Sequence, residues 1–136
     1  MSLFVDTSVW SLALRRDQAS AAPEVRALHE ALEGGDAVLT TGIILQELLQ
    51  GFAGPRARRA IIDRFAALPL LPPDRQDHID AAELRNRCRR AGVQLGTIDA
   101  LLAQLCLRHQ LTLLSTDNDF RLAAAHCPLR VWKPPR

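Results

Sequence analysis

Apolar residues recur along this chain in two alternating rhythms. Short unbroken runs at residues 3–5, 37–40, 111–115 and 129–132 lack helical spacing and read as buried strands. Apolar positions return with helical spacing, or between helix start and stop residues, over 9–15, 22–33, 41–50, 55–66, 75–91, 97–109 and 119–125, which predicts helices. The punctuation agrees: Gly34-Gly35 closes the second helix, Gly51 the third and Gly92 the fifth, while Pro55 stands in the first turn of the fourth. Residues 68–73 break the pattern, and the helix over 97–109 is apolar almost all round, which places it at the centre of the molecule.

Strands alternating with helices imply an α/β fold with a central parallel sheet flanked by helices. No internal repeat, low-complexity linker or shift in composition divides the chain, so residues 1–136 are expected to form one domain, with a frayed tail from Lys133. At 136 residues it can bury a core without metal or disulfide staples, and 48% hydrophobic with 24% charged residues is the balance of a globular protein.

Composition excludes more than it selects. The net charge of +2 is too small to announce nucleic-acid binding by itself. All basic residues but Lys133 are Arg, which suits bidentate phosphate contacts but equally reflects a GC-rich coding bias. Cys88, Cys106 and Cys127 are odd in number and widely spaced, so they indicate neither a disulfide framework nor a zinc site, and a reducing cytoplasm fits them. The start MSLFVDTSVW has no basic segment and reaches Asp6 too soon for a signal peptide, and no apolar run approaches membrane-spanning length. His29, His78, His109 and His126 are scattered without an H-E-x-x-H motif, and Asp117-Asn-Asp119-Phe lacks the Gly and Glu that an EF-hand loop needs.

Four carboxylates carry the chemistry. Asp6 and Asp117 follow predicted strands, at the sheet edge where open α/β folds bind ligands, although a strand-end aspartate also serves as a helix N-cap. Asp99 falls in the first turn of its helix, with Thr97 as the expected N-cap, on the side of Leu102, Ala103 and Cys106. An unpaired carboxylate along an apolar face costs several kcal/mol by order of magnitude, so Asp99 needs a partner. Glu47 lies at the edge of its helix's apolar arc and taken singly reads as a surface residue. If the four converge they repel one another unless a cation sits among them, and all-oxygen ligation suits Mg²⁺ or Mn²⁺ and phosphodiester hydrolysis.

Four blocks in order, Asp6-Thr-Ser-Val-Trp, Glu47 within Ile-Leu-Gln-Glu-Leu-Leu-Gln-Gly, Thr97-Ile-Asp99-Ala-Leu-Leu-Ala and Leu-Leu-Ser115-Thr-Asp117-Asn-Asp119-Phe, resemble a PIN domain of the VapC type, the toxin of bacterial toxin–antitoxin pairs. The resemblance spans essentially the whole chain. It implies an endoribonuclease dependent on Mg²⁺ or Mn²⁺, with Asp6, Glu47, Asp99 and Asp117 as catalytic metal ligands and Asp119 as a possible fifth. It further implies a supporting hydroxyl at Ser115, where the family more often has Thr, and at Thr7 or Ser8, orienting Asp6 or a bound water. The implied partners are an RNA substrate, a second copy of the chain and a small VapB-like antitoxin, for which Trp10 and Leu14, one turn apart, are candidate docking residues. Arg85 and Arg89, stacked one turn apart in a cluster with Arg87 and Arg90, are candidates for RNA phosphates; Arg15 and Arg16 form a smaller basic pair. The competing reading is a non-catalytic PIN-like module that binds RNA or protein. The intact acids and the lack of an aromatic stacking platform weigh against it.

Overall fold

The computed structural model describes residues 1–15 and 21–135; Arg16 and Arg136 lie outside them. Along the chain run β1 (Ser2–Val5), α1 (Thr7–Leu14), α2 (Pro23–Gly34), β2 (Ala37–Leu39), α3 (Gly42–Gly51), α4 (Pro55–Ala66), α5 (Arg75–Arg90), α6 (Thr97–His109), β3 (Thr112–Leu114), α7 (Asn118–Ala123) and β4 (Arg130–Val131). The strands form one sheet in the order β2-β1-β3-β4, with every pairing parallel. Phe4 is registered with Leu39 on one side and Leu113 on the other, which makes β1 a central strand. Leu3, Phe4 and Val5 are at most 1% exposed, as expected of a parallel strand covered on both faces.

Two helical pairs frame the sheet. α3 packs on α4, α5 packs on α6, and α1 contacts both α2 and α3. α6 also touches β3, and its Leu102, Ala103, Leu105 and Cys106 are buried, which bears out its central position. Each fully buried Leu or Phe in this core contributes about 1.5–3 kcal/mol of transfer free energy.

The helix ends follow from local chemistry. Gly35 takes the left-handed conformation at φ 78° and donates its N–H to Ala31 O, closing α2. α5 opens on a reciprocal capping box between Asp74 and Asp77. The N-cap of α6 is Gly96 rather than Thr97: the Gly96 carbonyl accepts the Ala100 N–H at 2.9 Å, so Thr97 is already helical.

Trp10 is a second correction. Its ring is 2% exposed and lies 4.9 Å from that of Phe65, tilted by 52°, so it is part of the core between α1 and α4 and offers a partner almost no surface. Leu14 remains half-buried. Among the described residues, no helix is long and apolar enough to cross a membrane.

Candidate active site: an acidic centre at the strand ends

A parallel sheet delivers all its strand C-termini to one edge. That edge holds Asp6 after β1, Thr40 and Thr41 after β2, and Ser115 after β3. The Asp6 N–H donates to Leu114 O at 3.0 Å, so the β1–β3 pairing continues into the site. Asp6 occupies the N-cap position of α1 but its carboxylate caps nothing. Its Oδ2 instead accepts the Ser8 hydroxyl at 2.9 Å and the Ser115 hydroxyl at 2.8 Å.

Asp117 does cap α7, accepting the Asp119 N–H at 2.9 Å through Oδ1. The cap and a role in the acidic site are compatible, because one carboxylate oxygen remains uncommitted. Glu47, one turn before the end of α3, accepts the Thr7 hydroxyl at 2.9 Å through Oε1, a contact bridging 40 residues. Thr7 therefore holds Glu47 rather than Asp6, and Ser8 is the residue that holds Asp6.

Asp99 shows that the acids converge. Its carboxyl is pushed up to about 6, first by burial and then by the negative charges of Asp6, Asp117, Glu47 and Asp119. None of these five forms an ion pair among the described residues; the cationic partners found there serve Asp36, Asp63, Asp74 and Asp77. Five hard oxygen donors with no protein counter-charge are the donor chemistry that Mg²⁺ or Mn²⁺ requires. Among the described residues, no three His, Cys, Asp or Glu side chains are spaced to hold a metal ion. The residues fit a divalent ion by donor type and charge.

The basic candidates lie outside this network. Arg85 is half-buried with its Nε enclosed and unpaired, and Arg89 is exposed on the last turn of α5. Among the described residues, neither forms a hydrogen bond or ion pair with the acids.

The family model of the PIN domain matches residues 3–125, nearly the whole fold and all five acids. This chain belongs to the PIN-domain family. Among its PIN relatives is Ribonuclease VapC23 of Mycobacterium tuberculosis, 31% identical over 128 residues that cover 90% of this chain and 97% of the relative, which places this PIN domain in the VapC type. Solved structures of the same fold include FitAcB from Neisseria gonorrhoeae, with a TM-score of 0.73, 23% identity and 97% of each chain covered. VapBC-1 from nontypeable Haemophilus influenzae superposes with a TM-score of 0.74 at 18% identity, covering 98% of each chain. VapC20 of M. tuberculosis, described as a sarcin-ricin loop cleaving toxin, gives a TM-score of 0.69 at 23% identity, covering 95% of this chain and 99% of that one.

The division of labour between Thr7 and Ser8 in this PIN domain is not visible in residue types alone. A signal was present in the spacing. In Asp6-Thr7-Ser8 the two hydroxyls follow a strand end into a helical first turn, where successive side chains diverge by about 100° and must find different partners.

Proposed function

We propose that this chain is a divalent-metal-dependent endoribonuclease and the toxin of a toxin–antitoxin pair. The observation that carries the reading is the rise of Asp99 to about 6 among four further acids, none of which has a cationic partner among the described residues. The VapC relative supports RNA as the substrate, since it is named a ribonuclease. Asp6, Asp99, Glu47 and Asp117, joined by Asp119, would hold Mg²⁺ or Mn²⁺. When bound, such an ion supplies the Lewis acidity and charge neutralisation that phosphodiester hydrolysis needs.

The protein's own groups do the positioning. Ser8 and Ser115 orient Asp6, Thr7 orients Glu47, and the α7 cap fixes the Asp117–Asp119 turn. Burial of Asp6 and Ser115, at 7% and 2% exposure, limits water at the base of the site. Arg89, on the last turn of α5, precedes the short connection that leads into α6 and Asp99, and with Arg85 it is proposed to hold RNA phosphates near the acids. A second copy of the chain and a VapB-like antitoxin complete the proposal, supported by fold relatives solved as VapBC complexes. Leu14, half-buried on α1, stays a candidate contact for the antitoxin. A cytoplasmic location fits this reading.

The test is to incubate purified, antitoxin-free protein with total RNA in Mn²⁺ or in EDTA. Discrete new fragments in Mn²⁺ alone are expected. Identical RNA profiles in the two conditions would instead favour a non-catalytic module that binds RNA or protein.

A further inference from the structure

The hydroxyls around Asp6 have a direction that chemistry forces. The Thr116 N–H reaches Ser8 Oγ at 3.1 Å, and the Asp117 N–H reaches Ser115 Oγ at 3.0 Å. A backbone N–H only donates and a carboxylate only accepts, so each serine receives one bond from the backbone and passes its single proton to Asp6 Oδ2. The two oxygens stand 3.4 Å apart, but neither has a second proton to give the other. Two relays, from Thr116 through Ser8 and from Asp117 through Ser115, therefore end on one oxygen atom. That oxygen has two lone pairs, and both are taken.

From this network we infer that Ser8 is a positioning residue acting through Asp6. With Ser115 it saturates Oδ2 and leaves Oδ1 as the only Asp6 oxygen free for a cation, so Asp6 is a one-oxygen ligand. Ser8 also reaches across 108 residues to the Thr116 N–H, which ties the start of α1 to the turn that carries Asp117. Losing its hydroxyl frees one Oδ2 lone pair, lets the carboxylate rotate and hands the exposed Thr116 N–H to solvent in the same step. This inference rests on the metal-dependent reading proposed above.

The test is calorimetric Mn²⁺ binding to the whole protein, with no RNA present. In Ser8→Ala, Mn²⁺ affinity is expected to fall about 10-fold, the usual scale for losing a group that orients a ligand. Ser8→Thr, which keeps the hydroxyl, is expected to recover most of the loss. Because both serines act on one oxygen, the losses in Ser8→Ala, Ser115→Ala and the double variant are expected to be non-additive. Wild-type binding with Ser8→Ala affinity within twofold of it, in a variant whose circular dichroism is unchanged, would overturn the role of Ser8 and leave the metal reading intact. Absence of Mn²⁺ binding by the wild type would overturn both.

Discussion

The α5–α6 pair carries an aspartate near each end, and the two behave in opposite ways. At one end Asp77, 1% exposed, is among the most buried charged side chains described, yet its carboxyl is held below the usual value. Burial pushes it upward, but the Asp74 N–H, the Gln104 side chain and Arg108 together outweigh that push. At the other end the carboxyl of Asp99 rises to about 6, first because burial penalises its charge and then because the groups around it are four more acids. Burial raises both carboxyls; the neighbours reverse that push at Asp77 and add to it at Asp99. One end is satisfied by the protein itself, and the other has no cationic partner among the described residues.

The largest expected effect removes an acid from the unsatisfied end. Asp6→Asn and Asp99→Asn should each reduce Mn²⁺-dependent RNA cleavage by about 10³-fold, which corresponds to several kcal/mol of transition-state stabilisation. Far-ultraviolet circular dichroism of both variants should match the wild type. Cleavage unchanged in both would show that these carboxylates are not the active site.

Next comes the satisfied end. Arg108 pairs with Asp74 at 3.2 Å and, more closely, with Asp77. Arg108→Ala would strand the buried Asp77 charge and is expected to cost about 2–3 kcal/mol in urea denaturation, at the low end for a broken buried pair because Arg108 is 41% exposed. Cleavage per folded molecule should be retained. A large loss of activity without loss of stability would mean that the two ends are not independent.

The smallest effect is in pH dependence, where the two aspartates have opposite signs. For Asp99 the folded chain keeps its proton up to about pH 6, against 3.8 for an ordinary carboxyl, so between those values the folded state binds more protons than the unfolded one. Metal-free stability should therefore fall as pH rises from about 4 to 6 and level off above, by on the order of 1–2 kcal/mol after allowance for solvent screening. In Asp99→Asn that slope should disappear and neutral-pH stability should hold or rise. Asp77 contributes the reverse: its stabilisation is present above 3.8 and is lost as pH falls through its lowered folded value. Melting temperatures across pH 3 to 8, for wild type and Asp99→Asn, would separate the two; an unchanged slope in the variant would remove Asp99 as its source.

Much of this was legible before the structure. The helices over 55–66 and 97–109 are observed at those bounds; Pro55 and Gly96 mark their starts, while they end at Ala67 and at the left-handed Gln110. The order of strands and helices and the parallel sheet followed from the same patterning, and the family from the four motif blocks that resemble it. What stayed hidden depends on residues far apart in the chain. A helical wheel can place Trp10 and Leu14 on one side of α1, but only the packing of α4 decides that Trp10 is covered by Phe65. Asp77 looks like an ordinary first-turn acid until α6 brings Gln104 and Arg108 against it. The partners of Thr7 and Ser8 are likewise set by α1 meeting α3 and by β1 meeting β3.

The pairing of β1 with β3 also bears on how the protein is made. Ser2–Val5 is synthesised long before its neighbour Thr112–Leu114 and the Ser115–Asp117 turn. Such long-range pairing cannot form until both partners have emerged. A growing chain therefore carries an incomplete acidic centre until the segment through Asp117 has emerged. A nascent chain whose proposed substrate is RNA thus lacks an assembled site until both segments are available to pair.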